Sequence, residues 1–169
     1  MELVFRLLKG DDLKTIIWLL VIIYIYQFFK ERDVSLKNEE ERNISKESIV
    51  LAFARLKLKY EEDISVNEEN KKIVVYSIMI FNNYIRSNFF RKIDNIIFKI
   101  NNKPRKLGIM QIMTKKYIND YESIVMACKK IDKLYAKNKD DFEVISLYDK
   151  DNSKEICLIY DELKKFCKL

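Results

Sequence analysis

The sequence predicts a mainly α-helical protein in which a single N-terminal transmembrane helix precedes one helical body. Three observations carry that expectation. Only two glycines and one proline occur in 169 residues, too few for the tight turns of a hairpin-rich β protein. Apolar residues recur at three- and four-residue spacing in several later stretches. A nearly unbroken apolar run lies close to the N-terminus.

Residues 1–12 gather Leu3, Val4, Phe5, Leu7 and Leu8 into a short interfacial segment suited to lying against a bilayer. Residues 13–30 are the expected transmembrane anchor, bringing membrane lipid in as a partner. From Thr15 to Phe29 only Gln27 is strongly polar, and Lys14, Lys30 and Arg32 flank the run. Such a helix rises about 22 Å, short of a hydrocarbon core of roughly 30 Å, but Leu13 lengthens it and lysines reach out to the headgroups. Gln27, Phe28 and Phe29 stand where a signal peptide needs small residues, which favours an uncleaved anchor. A buried core helix is the competing reading. Arg6, Lys9 and Lys14 balance Lys30, Arg32, Lys37 and Arg42, so loop charge does not choose an orientation. Residues 31–46, with Glu39, Glu40, Glu41 and Arg42 in a row, read as a charged stalk, either solvated helix or linker.

The body is expected over 47–169. Ser45 is placed to cap a helix whose apolar positions begin at Ile49, Val50 and Phe53, although Leu56 to Tyr60 alternates with the period of a strand. Asn67 is the cap candidate for a helix through Ile73, Val74, Ile78, Ile80 and Phe81 to about Arg86, apolar enough to be central. From Asn88, the residues Phe89, Phe90, Ile93, Ile97 and Ile100 form one apolar face with Arg91, Lys92 and Asp94 elsewhere, and the helix ends by Asn101-Asn102. Pro104 and Gly108 then fall close together, so special backbone geometry, and with it a site, is expected on that loop. Asp120 is placed to cap a helix carrying Ile124, Val125, Cys128, Ile131 and Leu134. Asp140 or Asp141 opens a last helical pair broken near Asp151-Asn152.

The chain has no histidine, which removes Ser-His-Asp and Cys-His nucleophiles, histidine metal sites and histidine pH switches together. Cys128, Cys157 and Cys167 are odd in number and form no CxxC pair, so they read as small core residues. No cofactor or metal is expected. The net charge of +6 is spread along the chain and suits an anionic membrane, an anionic cell-wall polymer or nucleic acid alike. A nucleic-acid reading would use Lys103, Arg105, Lys106, Lys115 and Lys116, but no basic stripe with interleaved aromatics accompanies them, and no nucleic acid is expected.

Within the Pro104–Gly108 region, Gly108-Ile109-Met110-Gln111-Ile112 resembles the Gly-Leu/Ile-Met-Gln-Ile motif of lytic transglycosylases and goose-type lysozymes. Ser146-Leu147-Tyr148-Asp149 resembles, more loosely, that family's Ala-Tyr-Asn motif, and a terminal helix is expected from Lys154 to Phe166. The family's catalytic glutamate stands at the end of a core helix ahead of the Gly-x-Met-Gln loop. Here that end reads Ile80-Phe81-Asn82-Asn83-Tyr84, with Asn82 at the expected acid position.

The resemblance spans about residues 70–165 and implies a lysozyme-like helical domain over 47–169, peptidoglycan glycan strands as partner, and a body outside the cytoplasmic membrane. It implies substrate contacts from Asn82, Gly108, Met110, Gln111 and Tyr148, with Gln111 hydrogen-bonding sugar or backbone and Tyr148 lining the groove. Cleaving a glycosidic bond requires a proton for the departing oxygen, normally from a buried carboxylic acid. An asparagine amide has none to give, so general-acid help worth about 10²–10⁴-fold is absent, and a pseudoenzyme or weak lytic transglycosylase is implied. Asp94 is a substitute acid that does not match the family's position. Arg86, four residues past Asn82, faces either an anionic peptide carboxylate or solvent. The plain alternative is that Ile109, Met110 and Ile112 cover the core after a turn at Gly108. A reading from another class is a non-catalytic membrane-tethered interaction or assembly protein with membrane-protein partners.

Overall fold

The computed structural model describes residues 14, 16–23, 44–137 and 140–167. The chain divides into two compact units, Met1–Asn43 and Ile44–Leu169. In the first, residues 16–23 are helical and exposed. Much of the anchor expected over 13–30, and all of 1–12 and 31–43, fall outside the described residues; among those described, no helix is long and apolar enough to cross a membrane.

The second unit is mainly helical. Helix α1, Lys46–Tyr60, starts at Ser45, whose hydroxyl accepts from the Ser48 amide at 3.2 Å. It buries Ile49, Phe53, Leu56 and Tyr60, so the strand-like alternation at its end is helical, with Leu58 left exposed. After a single 3-10 turn, Glu61–Asp63, helix α2 runs Glu69–Ile85. Glu68 stands at its cap position without a side-chain bond to the helix amides, one residue past the expected Asn67. Every residue from Ile73 to Asn82 is buried, so the middle of α2 shows no face to water and the other helices pack around it.

Helix α3 is Asn88–Asn101. A hairpin follows, β1 Arg105–Leu107 and β2 Ile112–Thr114, paired antiparallel with Leu107 opposite Ile112 and Lys106 opposite Met113. Helix α4, Asp120–Tyr135, opens on a reciprocal cap: the Glu122 amide donates to Asn119 Oδ1 at 2.8 Å and the Asn119 amide donates to Glu122 Oε2 at 2.9 Å. The cap is thus Asn119, not Asp120. Asp140 caps α5, Asp141–Tyr148, and α6 covers Ser153–Cys167. Val74, Val75, Ile78 and Met79 of α2 meet Ile124, Cys128 and Ile131 of α4, Val144 and Ile145 of α5, and Ile156, Tyr160 and Leu163 of α6 in one core. Tyr135 and Tyr160 both donate to the Asp141 carboxylate, the first at 2.5 Å, tying the ends of α4, α5 and α6 together. Cys128 is buried, Cys157 and Cys167 half-buried, and all three are free thiols.

Two features depart from the sequence reading. The Pro104–Gly108 region is an ordered hairpin rather than a loop, with strands of three residues each, too short to announce themselves by alternation. Helix α3 is rotated by roughly a quarter turn from the expected face: it buries Phe90, Arg91, Asp94 and Phe98, leaves Ile93 and Ile97 half-buried, and exposes Ile96 and Ile100 to 58% and 74%. Ion pairs explain the rotation. Asp94, 2% exposed, accepts from Arg86 Nε and a terminal guanidinium nitrogen at 2.7 Å each, and lies 3.6 Å from Arg105 Nε. Arg91 donates to Asn83 Oδ1 at 2.9 Å and to the Arg86 carbonyl at 2.8 Å, and approaches Asp120 at 3.5 Å. A buried carboxylate and guanidinium must be paired, and the partners lie on the body side. The side carrying Arg91 and Asp94 therefore goes inward, with Phe90 and Phe98 beside it.

Candidate functional site

The hairpin turn is built around Gly108. Its φ of +70° lies in the left-handed region, and an added Cβ would stand 2.3 Å from Ser123 Cβ and 2.4 Å from Ser123 Oγ. Only glycine brings the backbone this close to the first turn of α4. The Gln111 amide donates to the Gly108 carbonyl at 3.2 Å, closing the turn, and Gln111 itself takes a φ of +49°. Two side chains then clamp it. Ser123 Oγ accepts from the Met110 amide at 3.3 Å, and Tyr148 Oη donates to the Met110 carbonyl at 3.3 Å. Ile109 and Met110 are buried in the core, so the covering role is also played here.

This clamped turn faces the end of α2 and the α5–α6 junction across a cleft of about 630 Å³. Asn82 and Arg86 line it from α2, Lys106, Met110, Gln111 and Met113 from the hairpin, Lys130 from α4, and Tyr148 through Asn152 from the junction. Four of the five residues expected to touch substrate, Asn82, Met110, Gln111 and Tyr148, thus line one cleft. Gly108 does not line it but shapes the turn beneath. Gln111 Nε2 donates to the Gly108 carbonyl at 2.9 Å, which fixes the side-chain amide at the cleft wall.

Burial, the Asp149 carboxylate and Cys128 all push the Tyr148 hydroxyl well above its ordinary pKa, so it stays a proton donor. Lys130 Nζ sits 4.1 Å from the centre of the Tyr148 ring and donates to the Tyr148 carbonyl at 3.1 Å. Burial lowers its pKa, Lys106 adds to that, and Asp149 opposes it.

The remaining charges sort differently from the sequence reading. The Arg86 guanidinium is paired with Asp94, which raises its pKa above the ordinary value. Asp94 does not line the cleft, and its burial under two arginines removes it as a substitute acid. The lining carboxylates are Asp149 and Asp151. Asp149 accepts from the Asn152 amide at 3.3 Å and from Asn152 Nδ2 at 3.1 and 3.0 Å, which fixes the bend between α5 and α6. Among the described residues no group of three or more Cys, Asp or Glu could hold a metal ion.

The cleft therefore offers amides, ammonium groups, two carboxylates and a hydroxyl for hydrogen bonding, with the Asn82 amide at the end of α2. Lys106, Lys130, Lys150 and Asn152 were not foreseen as cleft residues. Alternation along β1 would have put Lys106 beside Met113 had the hairpin been recognised; Lys130 carries no local signal. Comparison of the chain with protein-family models, with curated proteins and with solved structures finds no match.

Proposed function

We propose that the chain is a membrane-anchored protein of lysozyme and lytic-transglycosylase type, held by residues 13–30. Its lysozyme-like body, on the extracytoplasmic side, takes peptidoglycan glycan strands into the cleft and cleaves them weakly or not at all. The observation that carries this reading is that Asn82, Met110, Gln111 and Tyr148, from three separated stretches, line the same cleft. A cleft of about 630 Å³ is of ordinary ligand-binding size. Its amide and ammonium groups suit sugar hydroxyls, acetamido groups and carboxylates. Asn82 supplies hydrogen bonds to a glycosidic centre but no proton, which fits retention without efficient cleavage.

The test is co-sedimentation of the detergent-solubilised full chain with insoluble peptidoglycan, run beside a zymogram. Binding is expected, weakened about 5–30-fold by Gln111→Ala through loss of a cleft hydrogen bond. Absence of both binding and cleavage removes the proposal. A topology reporter fused after Leu169 gives an independent reading: a cytoplasmic C-terminus bars access to peptidoglycan and leaves a membrane-tethered interaction or assembly protein.

A further inference from the structure

Helix α3 turns its most apolar stripe toward solvent. Ile93, Ile96, Ile97 and Ile100 fall within about 100° of arc at 3.6 residues per turn. Ile96 and Ile100 are exposed, and Ile93 and Ile97 half-buried. Scattered exposed apolar residues are ordinary, but an aligned stripe marks a surface that meets something. The neighbouring side of the helix, at Asp94, is tied to the body by Arg86 and Arg105, which holds the stripe outward.

The charges beside the stripe say what covers it. Lys92 and Lys99 lie along one edge, Lys103 follows the helix end, and all three are exposed. Lys99 Nζ stands 5.1 Å from the ring centre of Tyr117, an exposed aromatic at the same end. The only carboxylate on α3, Asp94, is buried, so the exposed part of the helix carries positive charge alone. A second copy packed face to face would set lysine against lysine. Isoleucines bordered by lysines and an aromatic match the boundary between lipid headgroups and acyl chains, with the ammonium groups on lipid phosphates.

We propose that the Ile93, Ile96, Ile97 and Ile100 face of α3 docks on the surface of an anionic phospholipid bilayer, with Lys92, Lys99 and Lys103 on the phosphates. This contact is separate from the anchor over 13–30 and does not rest on the cleft.

Trp18 is the chain's single tryptophan, so site-specific fluorescence tests the proposal in the full chain. In a Trp18→Phe background, Ile96→Trp is mixed with vesicles of phosphatidylglycerol and phosphatidylcholine carrying brominated acyl chains. A blue shift and strong quenching are expected there, with little of either in phosphatidylcholine alone. Each lysine is worth about fivefold in affinity for an anionic surface, so changing all three to Gln weakens docking by roughly 100-fold and the quenching is lost. Leu158→Trp in the same background, an exposed site on α6, stays unquenched. Unaltered Trp18 reports the anchor separately, so failure of that segment and failure of the α3 face are told apart. No quenching at Ile96→Trp, equal quenching at Leu158→Trp, or equal quenching in neutral vesicles overturns the proposal. So does a blue shift without vesicles: if it grows with protein concentration a second copy covers the face, and if it does not, another part of the chain does.

Discussion

Replacing Gly108 with alanine tests whether the cleft depends on a turn pressed against α4. The left-handed φ of +70° costs an L side chain about 1–2 kcal/mol. The new Cβ would also lie 2.3 Å from Ser123 Cβ, which real atoms do not tolerate. Ser123 has little freedom to yield, because it is fully buried, donates to the Asp120 carbonyl at 2.7 Å and accepts from the Met110 amide. Overpacking of this kind adds roughly 1–3 kcal/mol, so the whole loss is about 2–5 kcal/mol. At roughly 3–5 °C per kcal/mol for a body of this size, Tm falls by about 6–25 °C. Thermal unfolding of the detergent-solubilised full chain, followed by circular dichroism, reads the shift. The double variant Gly108→Ala, Ser123→Gly removes the clash and keeps the backbone strain, so a favourable coupling of about 1–3 kcal/mol is expected between the sites. An unchanged Tm, or strictly additive effects, would refute the contact between turn and helix.

Asp94→Asn leaves Arg86 and Arg105 without their counter-charge; a loss of roughly 3 kcal/mol is expected, the low end for a buried pair because both arginines reach solvent. Hydrogen exchange should rise through α3 and the hairpin together, and a rise spread evenly over the body would contradict the clamp. Tyr76 is buried and its hydroxyl has no partner among the described residues; burial first, then Glu61, pushes its pKa to about 12. Because that lies above the unfolded value of 10.0, the associated stability is intact below pH 10 and lost as pH rises to 12, roughly 2–3 kcal/mol in all. Tyr76→Phe should be neutral or stabilising at neutral pH and should flatten the alkaline loss, measured by denaturant unfolding on both sides of pH 10. On the proposed function, Asn82→Glu places a carboxylic acid at the end of α2 and is expected to raise glycan cleavage about 10²–10⁴-fold, seen as clearing in a zymogram. A folded variant that binds glycan and still does not cleave it shows that Asn82 is not at an acid position.

The fold was legible wherever a helix is defined by its own apolar pattern and cap. Ser45 announces α1, and the dense apolar run from Ile73 to Phe81 makes α2 central whichever way it is rotated, since every face of its middle is buried. Helix α3 was legible as a helix but not in its orientation. Periodicity reports that a stripe exists; it does not say which side of the molecule the stripe faces. Arg91 and Asp94 read only as residues off the apolar face because their partners, Arg86, Asn83, Arg105 and Asp120, lie on other elements and become visible only when those elements are brought together.

The same distinction separates the two parts of the cleft. Gln111 stood out because the motif around it reflects a local backbone need, a turn that only Gly108 allows, and Tyr148 only through a looser family resemblance. Lys130 and Lys150 reach the cleft through the packing of α4 and the α5–α6 junction, which leaves no trace in neighbouring residues. Arg86 belongs to both worlds: it lines the cleft and also holds Asp94, and with it α3. An outward apolar stripe fixed by a residue of the cleft wall means that whatever docks on α3 sets the direction in which the cleft opens. A body docked on lipid through α3 and tethered by its N-terminal segment would therefore present the cleft at one fixed angle to the membrane, rather than tumbling at the end of a stalk.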